Sequence, residues 1–460
     1  MPSVTYLDSN YSFLSRCVNL FSVLSSLFLL SIFSPASLSD TDIYVMNNSA
    51  AQMTIDVRHT GSDTLEEGNE WIQQAQTLGP WESKLVLSIN RWEGVKNNHK
   101  YQFDTLLTNA NGQHFTLHQE VEGHRYNSTL KHGVSTPDVD LLWQNDRAIH
   151  RVQSEVLGEL PIELALKASK TSRYDDLYYA ITPTEQPPVA NDDANVLSVM
   201  TYNIWALPLI ASKIGERLAL LPAQMRGYDV LLLQEVFAAG RDAFLRQLAN
   251  QYPYQTQMLN KPGMNIYDGG VTILRRFPIV NESQYVFPDC AGTDCFADKG
   301  VNYAEVIKNG KAYHIFATHT ASYDTDIARD YRQRQFNQIH QFASELNIPT
   351  TDTVIYGGDF NVNKRKFEDD YLSMLANLQA DEPQYLGYSE STFDPRVNAF
   401  AGKIISDDEN VEYLDYIIVS NEYGIKKLNH NTVRVPRSTA AKIWGDWNLS
   451  DHFPVVAEIF

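Results

Sequence analysis

Short apolar runs in the second half of this sequence end or begin at residues that can bind a metal or move a proton. Taken alone, each of these residues is more often a turn former, a helix cap or a structural histidine. Together they supply carboxylate and amide oxygens, which suit a hard cation such as Mg²⁺, and histidines that titrate near neutral pH. The set predicts metal-assisted attack of water on phosphorus. Its members are Asn203, Glu235, His319, Asp359 with Asn361, Asp415, and Asp451 with His452.

The types and spacing of these residues indicate which role each could have in the reaction. Glu235 offers a carboxylate and Asn203 a neutral oxygen, which leaves positions on a cation for water and a substrate phosphate. Asp359 and Asn361 lie two residues apart, so in a strand they share one face and point into one pocket. The preceding Gly357-Gly358 pair allows close approach of another backbone.

A histidine next to an acid predicts the acid–base chemistry. His452, next to Asp451, is the candidate base, and Asp415 is a candidate to hold its imidazole tautomer, as in other carboxylate–histidine pairs. His319 is a candidate for a hydrogen bond to a phosphoryl oxygen or to the leaving group. The sequence contains neither a serine nucleophile elbow nor a phosphate-binding P-loop.

From residue 196 onward, strand-like and helix-like segments alternate, which predicts an α/β domain over 196–460 with its chemistry at strand ends. The segment DYRQRQFNQIHQFASEL (330–346) is an amphipathic helix with Phe336, Ile339, Phe342 and Leu346 on one face. Predicted strands are VLSVMTYNIW, DVLLLQEVF, GGVTILRR, AEVIKNGKAYHIFATHT, TDTVIYGGDFNV, LDYIIVS and PVVAEIF.

The preceding residues 41–185 alternate apolar and polar side chains in several short runs, which predicts a β-rich accessory domain, most simply a sandwich. Asn111-Gly112 is a candidate hairpin turn. Trp71, Trp81 and Trp92 are expected in its core or rim. Its role is open between a binding or membrane-targeting module and a structural cover. Residues 186–195 are rich in Pro, Asn and Asp and predict a linker.

The beginning of the chain predicts export. An apolar run of about 16 residues follows Arg16 and is too short for a comfortable membrane span. Small residues follow it, as in a secretory signal peptide over 1–39. A secreted protein is therefore expected, with a mis-assigned start or an uncleaved anchor as alternatives.

The chain has 460 residues, so two or three domains are expected, and its net charge is −19. That balance weighs against a dedicated nucleic-acid binder and against attraction to anionic lipid, but not against a zwitterionic surface. The three cysteines form no CxxC pair, so a thiolate zinc site is not expected. Cys290 and Cys295 are close in an exported chain, which favours a disulfide over two free thiols.

The order of seven motifs resembles that of the exonuclease–endonuclease–phosphatase superfamily, whose DNase-I-like fold is a four-layer α/β/β/α sandwich. Within it, the segments TYNIWALP, CAGTDCFADKGVNYAEV, HIFATHTAS and YLGYSESTFDPRVNAFA are similar to those of the bacterial neutral sphingomyelinases. The similarity covers roughly 195–460. The seven motifs are SVMTYNIW, LLLQEVF, DGGVTILRRFPI, FATHTAS, GGDFNVN, LDYIIVS and SDHFPVV.

This resemblance implies roles for the matching residues. Glu235 would be the main metal ligand with Asn203 and Asp451 in the same cleft, and His452 would be the general base supported by Asp415. Asp359, Asn361 and His319 would position water and stabilise the pentavalent phosphate. Asp268 and Lys299 also match family positions and are candidates for substrate binding. Tyr202, Trp205 or Phe237 would face a choline ammonium, unless these rings belong to the core.

The sequence departs from the family pattern at two places. Related toxins have an accessory cation site at the edge of the cleft, where this sequence has Ala239 and Tyr267. That edge site is not expected here. The toxins also carry a longer apolar hairpin before SDH that enters the membrane, and the stretch here is shorter, with Trp444 and Trp447. Membrane docking is therefore expected to be weaker or to depend on the front domain.

The leading prediction is a secreted, monomeric, Mg²⁺-dependent phosphodiesterase that hydrolyses sphingomyelin on membranes to ceramide and phosphocholine. Mn²⁺ or Co²⁺ are alternative cations, and lysis of red cells is an open question. The alternatives are a secreted nuclease using the same cleft, a phosphoinositide phosphatase, and a non-enzymatic surface-binding protein whose front domain carries the function.

Overall fold

The computed structural model describes residues 40–460 except 158–160, 171–173, 185–187, 262, 264–265, 389–390, 402–409 and 425–427. The predicted signal peptide, residues 1–39, lies outside the described residues. No helix in the described part of the chain is long and apolar enough to cross a bilayer.

The front part of the chain forms two β-sheets around one hydrophobic core. Its strands are β1 (Asp40–Asn47), β2 (Met53–His59), β3 (Trp71–Gln73), β4 (Thr77–Leu78), β5 (Ser83–Asn90), β6 (Lys100–Asn109), β7 (His114–Gly123), β8 (Ser128–Ser135), β9 (His150–Ser154), β10 (Ile162–Lys170) and β11 (Asp175–Pro183). One sheet has the order β3-β5-β1-β11-β10-β9 and the other β4-β2-β6-β7-β8. The predicted β-rich front region is therefore present.

Period-two alternation explains why these segments are strands. In β2, Met53, Ile55 and Val57 are buried, whereas the residues between them are exposed. The predicted hairpin joins β6 to β7, and Gly112 has the positive φ of 78° that its turn requires. Among the tryptophans, Trp71 is buried in this core and Trp92 is exposed.

The rest of the chain forms two further sheets. Their strands are β12 (Leu197–Asn203), β13 (Val230–Gln234), β14 (Tyr254–Gln255), β15 (Thr272–Arg275), β16 (Ile279–Val286), β17 (Gly300–Lys308), β18 (Lys311–His319), β19 (Thr353–Asp359), β20 (Ala380–Asp381), β21 (Gln384–Gly387), β22 (Asp415–Ser420), β23 (His430–Val433) and β24 (Val455–Ile459). The first sheet has the order β14-β15-β13-β12-β24-β23-β21, and the second β16-β17-β18-β19-β22-β20.

Helices cover the outer face of each sheet. They are α1 (Ile214–Gln224), α2 (Arg241–Leu248), α3 (Asp326–Glu345) and α4 (Glu368–Leu378). Leu218 and Leu221 of α1 and Phe244 of α2 share a hydrophobic cluster with the first sheet. Phe336 and Ile339 of α3 pack in the core that also joins the two sheets. The predicted α/β/β/α layering is confirmed.

The two sheets approach closely at a glycine. A Cβ added to Gly357 on β19 would lie 2.4 Å from the Leu232 side chain of the facing sheet. Gly358 has φ of 150°, and a Cβ there would lie 1.9 Å from the Thr318 carbonyl oxygen. The glycine pair therefore allows the strand that carries Asp359 to lie tight against its neighbours.

The front sheets contact the second part of the chain through an apolar cluster. Trp447 is only 5% exposed and packs with Met46, Ala165 and Ala180 of the front part, with Trp444 beside it. In addition, Arg437 donates to the Trp81 carbonyl oxygen at 2.7 Å. The tryptophans before SDH thus lie in a contact between the two parts of the chain.

Candidate active site

The candidate residues meet at one edge of the paired sheets. Asn203, His319 and Asp359 are the last residues of β12, β18 and β19, and Glu235 follows β13. β22 and β24 run antiparallel to their neighbours, so their starts lie at the same edge as those ends. This brings the Asp415 and Asp451–His452 segments to the same place. A cleft of about 330 Å³ at this edge is lined by Glu235, His319, Asp359, Asn361, Asp451 and His452, among others.

Asn203 connects two carboxylates. Its Nδ2 donates to Glu235 Oε1 at 3.2 Å and to Asp359 Oδ2 at 3.0 Å. Its Oδ1 accepts from the Trp205 backbone N–H at 3.0 Å. In this arrangement the amide acts first as a donor that holds the carboxylates, and its predicted role as a metal ligand stays a prediction.

His452 and Asp415 form a buried pair. The Nδ1 atom of His452 lies 2.8 Å from Asp415 Oδ2, and its Nε2 lies 3.8 Å from Asp359 Oδ2. Burial alone would lower the pKa of His452, but the negative charges of Asp415 and Asp359 outweigh it and raise that pKa well above its usual value. The contact to Asp415 leaves Nε2 as the ring atom directed toward the cleft.

His319 is held by a lysine behind it. Lys299 Nζ lies 3.1 Å from His319 Nε2 and also donates to the Thr320 carbonyl and the Ser322 hydroxyl. Burial and the Lys299 charge lower the pKa of His319 to about 3, so its imidazole is neutral. Lys299 also pairs with Asp294 at 3.1 Å. In this geometry Lys299 positions His319 and does not line the cleft.

The Asp359–Asn361 pair differs from the strand geometry predicted for it. β19 ends at Asp359, and Asn361 has a left-handed φ of 51°. The Asn361 backbone N–H donates to Asp359 Oδ1 at 3.0 Å, which is an Asx turn. Both side chains still line the cleft, because the turn replaces the shared strand face.

Buried Arg217 holds the surrounding loops and was missed by the sequence analysis. Its guanidinium donates to the carbonyl oxygens of Ile204, Trp205 and Leu449 at 2.6 to 2.9 Å. These contacts connect the segment after β12 to the segment that carries Asp451. No spacing pattern marks an arginine that binds three distant carbonyl groups.

The carboxylates of the cleft fit a cation. Glu235 Oε2 is buried and has no hydrogen-bond partner among the described residues. Burial and the nearby Asp451 charge raise the pKa of Glu235 to about 7. Glu235, Asp451 and Asp359 line the same cleft, so their carboxylate oxygens are candidate ligands for a hard divalent ion.

A different group, Asp359, Asp415 and His452, places one ligand atom each within 4.8 Å of one another. However, the 2.8 Å contact between His452 and Asp415 is already a hydrogen bond, and a metal at that position would break it. The orphaned Glu235 oxygen is the better candidate for the cation.

Several predicted substrate contacts lie away from the described cleft lining. Trp205 is 3% exposed, and its ring packs against Phe400 with the Arg217 guanidinium 4.9 Å away. Tyr202 is buried as well. Phe237 packs on Tyr267 with ring centroids 5.4 Å apart. This geometry does not support contact of Trp205 or Tyr202 with a choline group.

Asp268 has partners within the protein. Its Oδ2 accepts from Arg241 at 2.5 Å, and its Oδ1 accepts from the Gly270 backbone N–H at 3.0 Å. Asp268 thus forms a turn and an ion pair, and its predicted contact with substrate stays a prediction.

The predicted disulfide is confirmed. Cys290 and Cys295 are bonded, with their Cα atoms 5.2 Å apart, around a short 3₁₀ turn at Gly292–Phe296. Within this turn, Asp294 accepts from the Ser322 backbone N–H at 2.7 Å. The bridged turn therefore lies against the loop that follows His319.

Seven further cleft residues were not predicted from the sequence. Four of them lie in or directly after a motif named above: Ser322 and Tyr323 at the end of FATHTAS, Phe393 in YLGYSESTFDPRVNAFA and Leu414 in LDYIIVS. The others follow no pattern. The seven are Ser322, Tyr323, Asp324, Phe393, Asn410, Glu412 and Leu414.

Comparison with known proteins agrees with this arrangement. The model of the endonuclease/exonuclease/phosphatase family matches residues 200–452. A relative named sphingomyelinase C from Bacillus cereus is 33% identical over 308 residues, which are 60% of this chain and 92% of the relative. The chain belongs to the sphingomyelinase C branch of the endonuclease/exonuclease/phosphatase family.

Other relatives of this branch match the same part of the chain. A protein from Staphylococcus aureus named phospholipase C is 32% identical and is covered over 84% of its length, against 57% of this chain. A variant of beta toxin from Staphylococcus aureus, solved with bound magnesium ions, has a TM-score of 0.51 and is 30% identical in sequence. The match covers 57% of this chain and 98% of the beta toxin chain. The predicted DNase-I-like fold and family are confirmed.

Proposed function

We propose that this chain is a Mg²⁺-dependent phosphodiesterase that hydrolyses sphingomyelin to ceramide and phosphocholine. The observation that carries the proposal is the His452–Asp415 pair in the same cleft as the orphaned Glu235 carboxylate. Membership of the sphingomyelinase C branch supports the choice of substrate.

The chain's own residues divide the reaction among them. With Nδ1 bound to Asp415, His452 takes the proton of an attacking water at Nε2. Asp359 and Asn361 orient that water and the phosphate. Neutral His319, held by Lys299, contributes a hydrogen bond to a phosphoryl oxygen. A cation held by Glu235 and Asp451 would stabilise the negative charge on the phosphate and on the leaving alkoxide.

The site assignments lead to a mutational prediction. His452→Ala should lower kcat/KM for sphingomyelin by a factor of about 10² to 10⁴, because the general base is lost. Glu235→Gln should raise the Mg²⁺ concentration needed for half-maximal activity. His340, an outward-facing residue of α3 that pairs with Glu422, provides the control His340→Ala. Near-normal turnover in His452→Ala, or an unchanged Mg²⁺ requirement in Glu235→Gln, with the thermal unfolding midpoint unchanged, would remove that residue from the mechanism.

We further propose the domain division 41–185, 186–195 and 196–460, with secretion directed by residues 1–39. The separate hydrophobic cores of the front and second parts support this division. We expect the signal peptide to be cleaved between Ala36 and Asp40, and N-terminal sequencing of the protein exported by its native host would test this expectation.

The substrate class is tested by a paired assay on purified protein. Phosphocholine release from sphingomyelin liposomes and nicking of plasmid DNA are followed with Mg²⁺ and with chelator. We expect phosphocholine release that requires Mg²⁺ and no nicking, since the net charge of −19 opposes a polyanion. Nicking without phosphocholine release would still support the metal site, but it would show that the substrate is a nucleic acid.

A further inference from the structure

One end of the cleft is not used by the mechanism above. Beyond His452 its wall consists of two aromatic rings, two carboxylates and their neighbours. Tyr323 is 51% exposed there, whereas Phe393 and Glu412 are 4% and 9% exposed. The residues of this end are Tyr323, Asp324, Phe393, Asn410, Glu412 and Leu414.

The two rings are fixed by contacts on opposite sides. The Phe393 ring lies edge-on to the His452 ring, with centroids 5.4 Å apart. The Tyr323 hydroxyl bonds the Thr293 hydroxyl at 2.5 Å, and Thr293 lies inside the Cys290–Cys295 loop. One ring therefore directly adjoins the proposed general base, and the other is anchored to the disulfide turn.

The carboxylates of this end are not equivalent. Asp324 pairs with Lys366 at 3.1 Å and lies 4.0 Å from Arg332. Its negative charge is therefore largely compensated by positive charges within the protein. Glu412 has no ion pair among the described residues. Its backbone exchanges hydrogen bonds with Phe393 at 2.8 and 3.0 Å, which places Glu412 beside the Phe393 ring.

A buried carboxylate next to aromatic rings suits a cation that cannot donate hydrogen bonds. A trimethylammonium group is bound by charge and by ring faces, because it has no N–H to satisfy. A primary ammonium or a hydrated metal ion would instead demand several oxygen acceptors in defined directions.

We propose that this end of the cleft binds the quaternary ammonium of the phosphocholine headgroup, with Glu412 as its counter-charge and Tyr323 and Phe393 as its aromatic walls. The proposal rests on the proposed function, since it needs the phosphate at His452. The headgroup has only two carbons between the phosphate oxygen and the nitrogen. A phosphate at His452 therefore leaves the ammonium next to the adjoining Phe393 ring.

The test compares two headgroups on one lipid. Initial rates are measured with Mg²⁺ on sphingomyelin and on ceramide phosphoglycerol, whose headgroup is neutral, in mixed detergent micelles. The readout is the ratio of the two kcat/KM values. Glu412→Gln should lower this ratio about tenfold, and Tyr323→Leu should lower it several-fold, in line with one lost charge or ring contact.

Glu368→Gln is the matched control, because Glu368 is exposed in the first turn of α4 and should leave the ratio unchanged. Thermal unfolding of each variant verifies the fold. An unchanged ratio in both site variants would overturn the proposal. A raised Mg²⁺ requirement in Glu412→Gln with an unchanged ratio would also overturn it, and would indicate a metal ligand instead.

A binding measurement separates failure of the subsite from failure of the proposed function. Phosphocholine and inorganic phosphate are titrated calorimetrically into wild type and Glu412→Gln with Mg²⁺ present. Wild type should bind phosphocholine more tightly than phosphate. The ratio of the two affinities should be about tenfold smaller in the variant. If wild type hydrolyses neither lipid yet shows this preference, the function fails and the subsite stands. Equal binding of both ligands would remove the subsite.

Discussion

At the scale of single residues, the chemistry depends on opposing influences on the pKa of the His452 imidazole. Burial would lower the pKa of His452, whereas the charges of Asp415, Asp359 and Asp451 raise it well above its usual value. Its 2.8 Å contact with Asp415 also fixes which nitrogen faces the cleft. The same carboxylate thus sets both the orientation and the basicity of the candidate base.

Replacing that carboxylate should therefore change a pH profile as well as a rate. Without the Asp415 charge the pKa of His452 falls, so Asp415→Asn should move the acid limb of kcat/KM toward lower pH by about one unit or more. The maximal rate should also fall by about 10² or more, because the tautomer is no longer held. Rates on sphingomyelin between pH 4 and 9 test this expectation.

Asp381→Asn is the control, because Asp381 is exposed on β20. An acid limb of Asp415→Asn that coincides with that of wild type would contradict the role of Asp415.

At the scale of elements, a small bridged turn supports the cleft. The Cys290–Cys295 loop carries Asp294, which binds Lys299 and the Ser322 backbone, and Thr293, which binds Tyr323. Lys299 in turn contacts His319. The disulfide therefore restrains a chain of contacts that ends at a proposed catalytic side chain.

Removing both cysteines should weaken this region more than the core. A Cys290→Ser, Cys295→Ser double variant should lose at most about 2 kcal/mol of unfolding free energy, as expected for so short a loop. Its kcat/KM should fall several-fold through His319. Denaturant unfolding and liposome assays measure the two effects.

The matched comparison uses a reductant. It should lower the unfolding midpoint and the activity of wild type but leave the double variant unaffected. Full activity in the double variant would show that the turn does not position His319.

At the scale of the whole molecule, the front sheets and the second part of the chain share a hydrophobic contact. Trp447 contributes from the segment before SDH, and Met46, Ala165 and Ala180 contribute from β1, β10 and β11. The Trp444 ring packs against Trp447 and lies 5.6 Å from Lys167 Nζ. In this chain the tryptophan pair is used to join two parts of the molecule.

Trp447→Ala should loosen that contact. The loss of a buried tryptophan ring should cost about 3 to 5 kcal/mol, with the front sheets unfolding separately at lower denaturant. The linker at 186–195 should become more sensitive to limited proteolysis. Trp92→Ala is the control, because Trp92 is 59% exposed. A single unchanged unfolding transition in Trp447→Ala would argue against the contact.

The fold was predictable from sequence where local pattern and burial agree. Alternation predicted the front strands, and apolar runs predicted β12, β13, β18, β19 and β22 because both faces of each are largely buried. β24 was predicted as well, although one of its faces is partly exposed. The helix predicted at 330–346 begins earlier, at Asp326, because Thr325 caps it by accepting from the Ala328 N–H. β16 was missed because it has no regular alternation of buried and exposed residues. The helix α4 was missed although Tyr371, Met374 and Leu378 are buried at helical spacing.

For the site, sequence alone determined which residues stand at strand ends and hence which can meet at one edge. Asn203, Glu235 and Asp359 come together because strand direction places their ends side by side. Only the tertiary structure decided the remaining roles. Trp205 became core and Lys299 became a support for His319, whereas Glu412 entered the cleft. These outcomes depend on burial and on the distances between segments that are remote in sequence. Neither can be predicted from the local spacing of residues.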